Sequence, residues 1–409
     1  MSSANSTIYQ VLGRNAVHPF PARMAPGLAL ESILNLPFRA TVLDPMVGSG
    51  TVLAIARAHG HRAIGFDVDP LAVLISRVWT RSIDAGAVRH EATRVLTEAR
   101  RVAGDLARRD AYPMGADSET RAFVRYWFDG YARSQLTALA LVIADVPNET
   151  VREVLWCAFS RLVIAKQAGV SLALDLSHSR PHRRFDRAPR KPFHGFQGSV
   201  DRVIEGCVHR TARGRGPTAS VGLGDIRDLP LGESSVDLVF TSPPYLNAID
   251  YLRCSKFSLV WMGHSIDSLR AIRSSAIGTE VGTQAGAMSD AVLNDLGLRP
   301  PLSSRMKGIV RRYINDTSAS LREVARVLKQ RGKAVYVVGE NTIRGTFIPT
   351  GELVAHVANQ AGLDLVTRSV RNLPGNRRYL PPPGSAGTQF DTRMRREVIL
   401  TFHKRRVQG

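Results

Sequence analysis

Ala40-Thr41-Val42-Leu43-Asp44-Pro45-Met46-Val47-Gly48-Ser49-Gly50-Thr51 is the stretch on which the fold turns. The apolar run Ala40–Leu43 reads as a short strand, Asp44–Thr51 as a glycine-rich turn, and Val52–Ala58 as the start of a helix. The pattern then repeats: Ala63–Phe66 reads as a second strand ending at Asp67, and Asp69-Pro70 opens another helix through Val78. Strand, turn, helix, strand and helix in this order begin a doubly wound sheet, whose ligands sit beyond the carboxyl ends of its parallel strands.

Glycines at 48 and 50 let the backbone turn tightly and approach a ligand closely. The turn is not a dinucleotide fingerprint, because Leu53 stands where a third glycine is required, and no Gly-Lys-Ser/Thr of a phosphate-binding P-loop occurs. A carboxylate at Asp67 is placed to accept both hydroxyls of a ribose; a helix cap is its other possible role.

Further along, the character changes. From Ile83 to Arg215 long helical patterns alternate with basic stretches. Val151, Val154, Leu155, Ala158, Phe159, Leu162 and Val163 recur at helical spacing behind Asn148, an N-cap residue type, and this helix is expected to pack on Phe123, Trp127 and Phe128. Strand patterns resume at Ala219–Leu223, Val236–Phe240, Ala334–Val338, Leu363–Ser369 and Glu397–Phe402, with helices over 317–328 and 351–361. About seven strands result. The last two follow one another without a full helix between them, so that edge of the sheet is expected to be antiparallel. The organisation is an α/β sheet domain in two parts, 1–82 and 218–409, interrupted by a helical, basic insert at 83–217.

With 409 residues, 44% hydrophobic and 22% charged, the chain has the composition of a large globular protein. Its 55 Lys+Arg against 35 Asp+Glu give a net charge of +20 and point to a polyanionic partner, although 48 of the 55 are Arg, a bias that a GC-rich genome also produces. Met1–Gln10 carries no basic leader, and no run reaches the roughly 18 apolar residues of a membrane span, so no membrane role is expected. Cys157, Cys207 and Cys254 are odd in number and widely spaced, which excludes a disulfide framework or a cysteine-rich zinc site and fits a reducing cytoplasm. His178 and His182 are not backed by a ligand set, and no metal is expected.

The rarest signal is Ser242-Pro243-Pro244-Tyr245, directly after the strand Val236–Phe240. Two prolines remove backbone donors and stiffen the chain, leaving outward carbonyl oxygens beside an aromatic ring. A polyproline loop docking on a surface is the alternative, but the strand exit falls where such sheets bind ligands.

These segments together resemble the S-adenosylmethionine-dependent amino-methyltransferases of DNA, which make N4-methylcytosine or N6-methyladenine. Asp44, Pro45, Gly48, Ser49, Gly50 and Thr51 look like the family's cofactor loop, with Met46 where Phe is usual. Asp67 looks like the ribose-binding acid, with Asp69 beside it, and Gly224-Asp225 like the loop that meets the adenine ring. His18–Met24, including Phe20 and Arg23, resembles the motif that flanks the cofactor methionine. Ser242–Tyr245 looks like the catalytic motif in its Ser form, found mostly among cytosine-N4 enzymes. The resemblance implies a seven-stranded methyltransferase sheet, S-adenosyl-L-methionine as cofactor, duplex DNA as partner, and a restriction endonuclease or other defence component as a further one. The insert, as target-recognition region, lies outside the family's common motif orders.

The chemistry follows from the residue types. An exocyclic amino nitrogen is a poor nucleophile because its lone pair is delocalised into the ring. Acceptors at Ser242 and Pro243 would hold the amino hydrogens while Tyr245 stacks on a base flipped from the helix. Transfer from a sulfonium methyl is an in-line displacement that depends on positioning and needs no covalent intermediate. No cysteine follows a proline, unlike the nucleophile of cytosine-C5 enzymes.

Two basic regions are placed to hold phosphates: His178–Arg215, with Arg180, Arg183 and Arg184 at its head, and Leu365–Gly409, with Arg377 and Arg378. A solvated basic surface is the plainer reading. Three other functions share some of these features: an RNA base methyltransferase, a protein glutamine methyltransferase, which usually carries Asn where Ser242 stands, and a basic nucleic-acid-binding protein with a vestigial pocket.

Overall fold

The computed structural model describes residues 6–20, 24–37, 39–176, 181–209, 219–246, 252–278, 287–343, 346–373 and 396–406. Helices α1 (Ile8–Leu12) and α2 (Pro26–Leu34) precede β1 (Thr41–Asp44), α3 (Thr51–Ala58), β2 (Arg62–Asp67) and α4 (Pro70–Thr80). The turn between β1 and α3 depends on its glycines. Gly48 and Gly50 have φ of +48° and +84°, in the left-handed region that costs an L side chain energy. A Cβ on Gly50 would also lie 2.9 Å from Ser76 Oγ and 3.1 Å from Ser76 Cα, so α4 packs on the turn only because that atom is missing.

A short parallel pair, β3 (Ser82–Ile83) and β4 (Val208–His209), brackets the helical segment α5 (Ala85–Asp105), α6 (Ser118–Trp127), α7 (Gly130–Ala144), α8 (Glu149–Val163) and α9 (Pro192–Gly206). Asp84, Asp117, Asp129 and Asn148 cap α5, α6, α7 and α8 by accepting a first-turn backbone N–H. Trp79 of α4 shares one apolar core with Leu136, Phe159 and Phe196 of this segment. Arg77 of α4 and Arg81, which caps its C-terminus, donate to the buried Glu153 of α8 at 3.2 and 2.6 Å. Between Phe128 and Phe159 stands Trp261, with ring centroids 5.3 and 6.4 Å away.

The chain continues through β5 (Ala219–Leu223), β6 (Val236–Thr241), α10 (Leu252–Leu259), α11 (Ile266–Ser275), α12 (Ala287–Asp295), α13 (Ser304–Val327) and β7 (Leu328–Gly339). A small antiparallel ribbon, β8 (Asn341–Ile343) and β9 (Thr346–Ile348), leads to α14 (Thr350–Gln360), β10 (Leu363–Asn372) and β11 (Arg396–Lys404). The seven-stranded sheet runs β10-β11-β7-β6-β1-β2-β5. Pairings among β7, β6, β1, β2 and β5 are parallel, and β11 is antiparallel to both β7 and β10. The expected α/β, mostly parallel seven-stranded sheet is therefore present. Its antiparallel strand lies one position in from the β10 edge. Chain order reverses at β1, flanked by β2 on one side and β6 on the other, and this switch point is where such sheets bind ligands. Among the described residues no helix is long and apolar enough to cross a membrane, and no cluster of His, Cys, Asp or Glu is arranged to hold a metal ion.

Candidate active site

At the carboxyl end of β1, Asp44 is 2% exposed. Its Oδ1 accepts from Met46 N–H at 3.2 Å and from the Thr241 hydroxyl at 2.9 Å. Burial pushes this carboxyl up to about 7, against the pull of those two donors. Thr241 ends β6 and Ser242 follows it, so one hydrogen bond joins the glycine turn to the Ser-Pro-Pro-Tyr segment.

Asp67 ends β2, half-buried. Its Oδ2 accepts from Gly48 N–H at 2.9 Å and its Oδ1 from Asp69 N–H at 2.9 Å. Burial raises this carboxyl, opposed by the backbone donors of Asp69, Gly48 and Val68. A carboxylate has about four acceptor sites, so these three backbone donors leave acceptor capacity for a ligand. Asp69 is occupied differently. It caps α4 through Leu71 N–H at 2.9 Å, and its other oxygen accepts from the Ser255 hydroxyl at 2.6 Å. Burial pushes it up to about 7.

Ser49 and Thr51 are buried, with hydroxyls 3.2 Å apart. Phe20 covers the turn, its Cε1 3.8 Å from where a Gly48 Cβ would stand. The segment before it is fastened to α8, because His18 Nε2 lies 3.0 Å from Ser160 Oγ and Arg161 donates to the Val17 carbonyl at 2.7 Å. Arg23 lies outside the described residues. At the exit of β5, Gly224 N–H donates to the Asp67 carbonyl at 3.1 Å, and a Cβ on Gly224 would fall 2.9 Å from the Phe66 ring. Asp225 is gripped by Arg227, which also reaches Asp316 at 2.7 Å.

The Ser242 hydroxyl donates to the Val337 carbonyl at 3.0 Å, and its oxygen is 3.4 Å from the Tyr245 hydroxyl. That hydroxyl donates to Glu397 Oε1 at 2.9 Å, while Arg371 holds Glu397 Oε2 at 2.5 Å. The sequence reading missed Glu397, which is 8% exposed. Its only signal is that it is one of two acids in the basic tail 365–409, placed at the start of a buried strand. Ser76 was missed too; its hydroxyl donates to the Gly48 carbonyl at 3.0 Å. The cysteines are buried, and burial pushes the Cys157 thiol up and the Cys207 thiol up to about 12.

Of the basic residues, Arg180, Arg377 and Arg378 lie outside the described residues. Arg183 and Arg184 are exposed. Their backbone is ordered by a bridge from Arg183 to Ala173 and by Arg184 N–H donating to the Leu172 carbonyl at 2.9 Å. The Arg183 guanidinium sits 5.6 Å from the Tyr126 ring centroid.

No protein-family model matches the chain. It is 23% identical over 422 residues to Type II methyltransferase M.MvaI of Kocuria varians, covering 94% of this chain and 89% of that one. Among solved structures, a TehB-like S-adenosylmethionine-dependent methyltransferase of Corynebacterium glutamicum is 10% identical with a TM-score of 0.29, over 92% of this chain and 88% of that one. A second, from Methanosarcina mazei, is 9% identical with a TM-score of 0.33, over 90% and 94%. Along nearly its whole length the chain is thus similar in sequence to a Type II methyltransferase.

Proposed function

We propose that the protein is an S-adenosyl-L-methionine-dependent DNA methyltransferase of the cytoplasm that modifies the exocyclic amino group of a flipped base, cytosine N4 foremost, with a restriction endonuclease as its cellular counterpart. The observation that carries this reading is the hydrogen bond between Thr241 and Asp44, which sets Ser242–Tyr245 beside the Gly48–Gly50 turn at the switch point of the sheet. The similarity to a Type II methyltransferase supports it.

The residues fit the cofactor. Among the described residues, the nearest atom a Cβ on Gly48 would meet is Cε1 of Phe20, at 3.8 Å. Asp67 keeps acceptor capacity for a ribose hydroxyl beyond its three backbone donors, and Asp44, Pro45, Ser49, Thr51 and Asp225 complete the proposed set. When bound, S-adenosylmethionine supplies a sulfonium methyl. The chain then has to orient the amino nitrogen and keep water out. Ser242, with its one proton on the Val337 carbonyl, offers lone pairs to an amino hydrogen. The Pro243 carbonyl accepts the other, and Tyr245 stacks on the base. Segment 83–217 is proposed as the target-recognition region, with Arg183 and Arg184 among its phosphate contacts.

The test is transfer of labelled methyl from S-adenosylmethionine to duplex DNA by the purified protein. Ser242→Ala and Tyr245→Ala are expected to lose most turnover while still binding cofactor. Near-normal turnover in either variant sinks the catalytic assignment, and no labelled DNA with the wild type sinks the reading.

A further inference from the structure

We propose that Glu397, braced by Arg371, is a positioning residue for the methyl-transfer site: it takes the Tyr245 proton and fixes that ring, leaving Ser242 as a pure acceptor. The inference rests on the amino-methyltransferase reading above and adds residues to it that the Ser-Pro-Pro-Tyr segment does not contain.

Topology brings these residues together. In a parallel sheet the strands end at the ligand edge, so an antiparallel strand begins there. β11 begins at Arg396, and its second residue, Glu397, pairs across to Gly339 at the end of β7 and to Arg371 near the end of β10. The same edge carries Thr241, in register with Tyr336 of β7, which puts Ser242 beside Val337. The reversed strand β11 thus delivers a carboxylate to the edge where the proposed catalytic segment leaves the sheet.

The proton inventory gives the pair its consequence. A carbonyl and an ionised carboxylate only accept. The single Ser242 proton has two acceptors in reach, the Val337 carbonyl at 3.0 Å and the Tyr245 oxygen at 3.4 Å; with it on the nearer one and the Tyr245 proton on Glu397, no proton lies between the two hydroxyls. Ser242 therefore keeps its lone pairs for an incoming amino group. Were Glu397 a neutral amide, its N–H could donate to the phenolic oxygen, and the Tyr245 proton would turn towards Ser242 and occupy one of those lone pairs. The ion pair is also out of place as mere surface decoration: the Arg371 and Glu397 side chains are 12% and 10% exposed. A carboxylate there is costly to bury unless it is paired and hydrogen-bonded, and here Arg371 and Tyr245 supply both.

The test is a double-mutant cycle on the full-length protein with Glu397→Gln, Tyr245→Phe and the double variant, measured on duplex DNA. Glu397→Gln is expected to lower kcat by about ten- to a hundredfold, since misplacement of about 1 Å costs that much, with cofactor affinity unchanged. In the Tyr245→Phe background, where the hydroxyl is gone, the same substitution should add little, giving a non-additive cycle. A fluorescent 2-aminopurine at the target position reports the flipped base independently of turnover, and its signal should change in Glu397→Gln and not change further in the double variant. An active wild type whose Glu397→Gln variant keeps normal kcat, or whose two effects simply multiply, overturns this inference alone. A wild type that methylates no DNA overturns the underlying reading and this inference with it.

Discussion

Gly48 N–H donates to the Asp67 carboxylate at 2.9 Å, so the acid that ends β2 also holds the turn that follows β1. An exposed carboxylate at a strand end would contribute little to the fold, but Asp67 is half-buried and accepts from Asp69 N–H as well. Asp67→Ala leaves two backbone donors without that acceptor, each worth about 1–3 kcal/mol when buried. The variant is expected to melt lower and to bind S-adenosylmethionine about ten- to a hundredfold more weakly, on the scale of a lost charged hydrogen bond. Calorimetry with unchanged affinity would remove Asp67 from the cofactor site; an unchanged melting temperature would remove it from the turn.

Asp44 gives a pH signature. Its carboxyl is raised by burial to about 7 in the fold, against about 3.9 in an unfolded chain. Between those values the folded state holds more protons than the unfolded one, so this group's contribution to stability is fully present below about 4 and is lost as pH rises through about 7. Asp44→Asn keeps an oxygen for Thr241 and Met46 N–H but does not titrate. Without cofactor, the wild type should lose more melting temperature than the variant between pH 5 and pH 8. Parallel curves would show that Asp44 is ionised throughout.

Arg183 and Arg184 test the polyanion surface. Both are exposed on an ordered strand-like bridge, and Arg183 is held against Tyr126. Replacing both by Ala should weaken DNA binding for every sequence alike and flatten the salt dependence by roughly one unit of slope per lost phosphate contact. Wild-type affinity and slope in the double variant would make this loop a solvated surface.

The glycine turn and the strands around it are legible in the sequence because their signals are local. Gly48 and Gly50 have to be glycine at their backbone angles, and β1, β2 and β6 are short apolar runs with turns directly after them. α13 was harder. The sequence reading starts it at Thr317, but Ser303 caps it at Ser304, and Met306, Ile309, Val310, Tyr313 and Ile314 already carry its buried face. Glu397 has only a faint signal, an acid at the start of a strand in a basic tail. Its partners Arg371 and Tyr245 are 26 and 152 residues away, and only the reversal of β11 puts the three together. Asp69 is the reverse case: the sequence offers it beside the ribose acid, and the contact with Ser255, 186 residues on, gives its second oxygen an internal partner.

The last prediction concerns the base. Cytosine and adenine each present an amino group with a ring nitrogen beside it, and either ring can lie on Tyr245, so neither stacking nor that edge alone discriminates. In one arrangement the Ser242 hydroxyl would donate to the ring nitrogen while the Pro243 carbonyl accepts from the amino group. In the structure that proton is already placed on the Val337 carbonyl at 3.0 Å, so donating outward would mean giving up an existing bond. Ser242 therefore serves better as a neutral acceptor of an amino hydrogen. An Asp at that position would be a charged and stronger acceptor, a form the family resemblance links mainly to adenine enzymes, whereas the Ser form goes mostly with cytosine N4. N4-methylcytosine is accordingly the expected product in duplex DNA. Mass spectrometry of nucleosides from DNA treated with the purified protein decides it, since N6-methyladenine alone would overturn the base assignment while leaving the acceptor role of Ser242 in place.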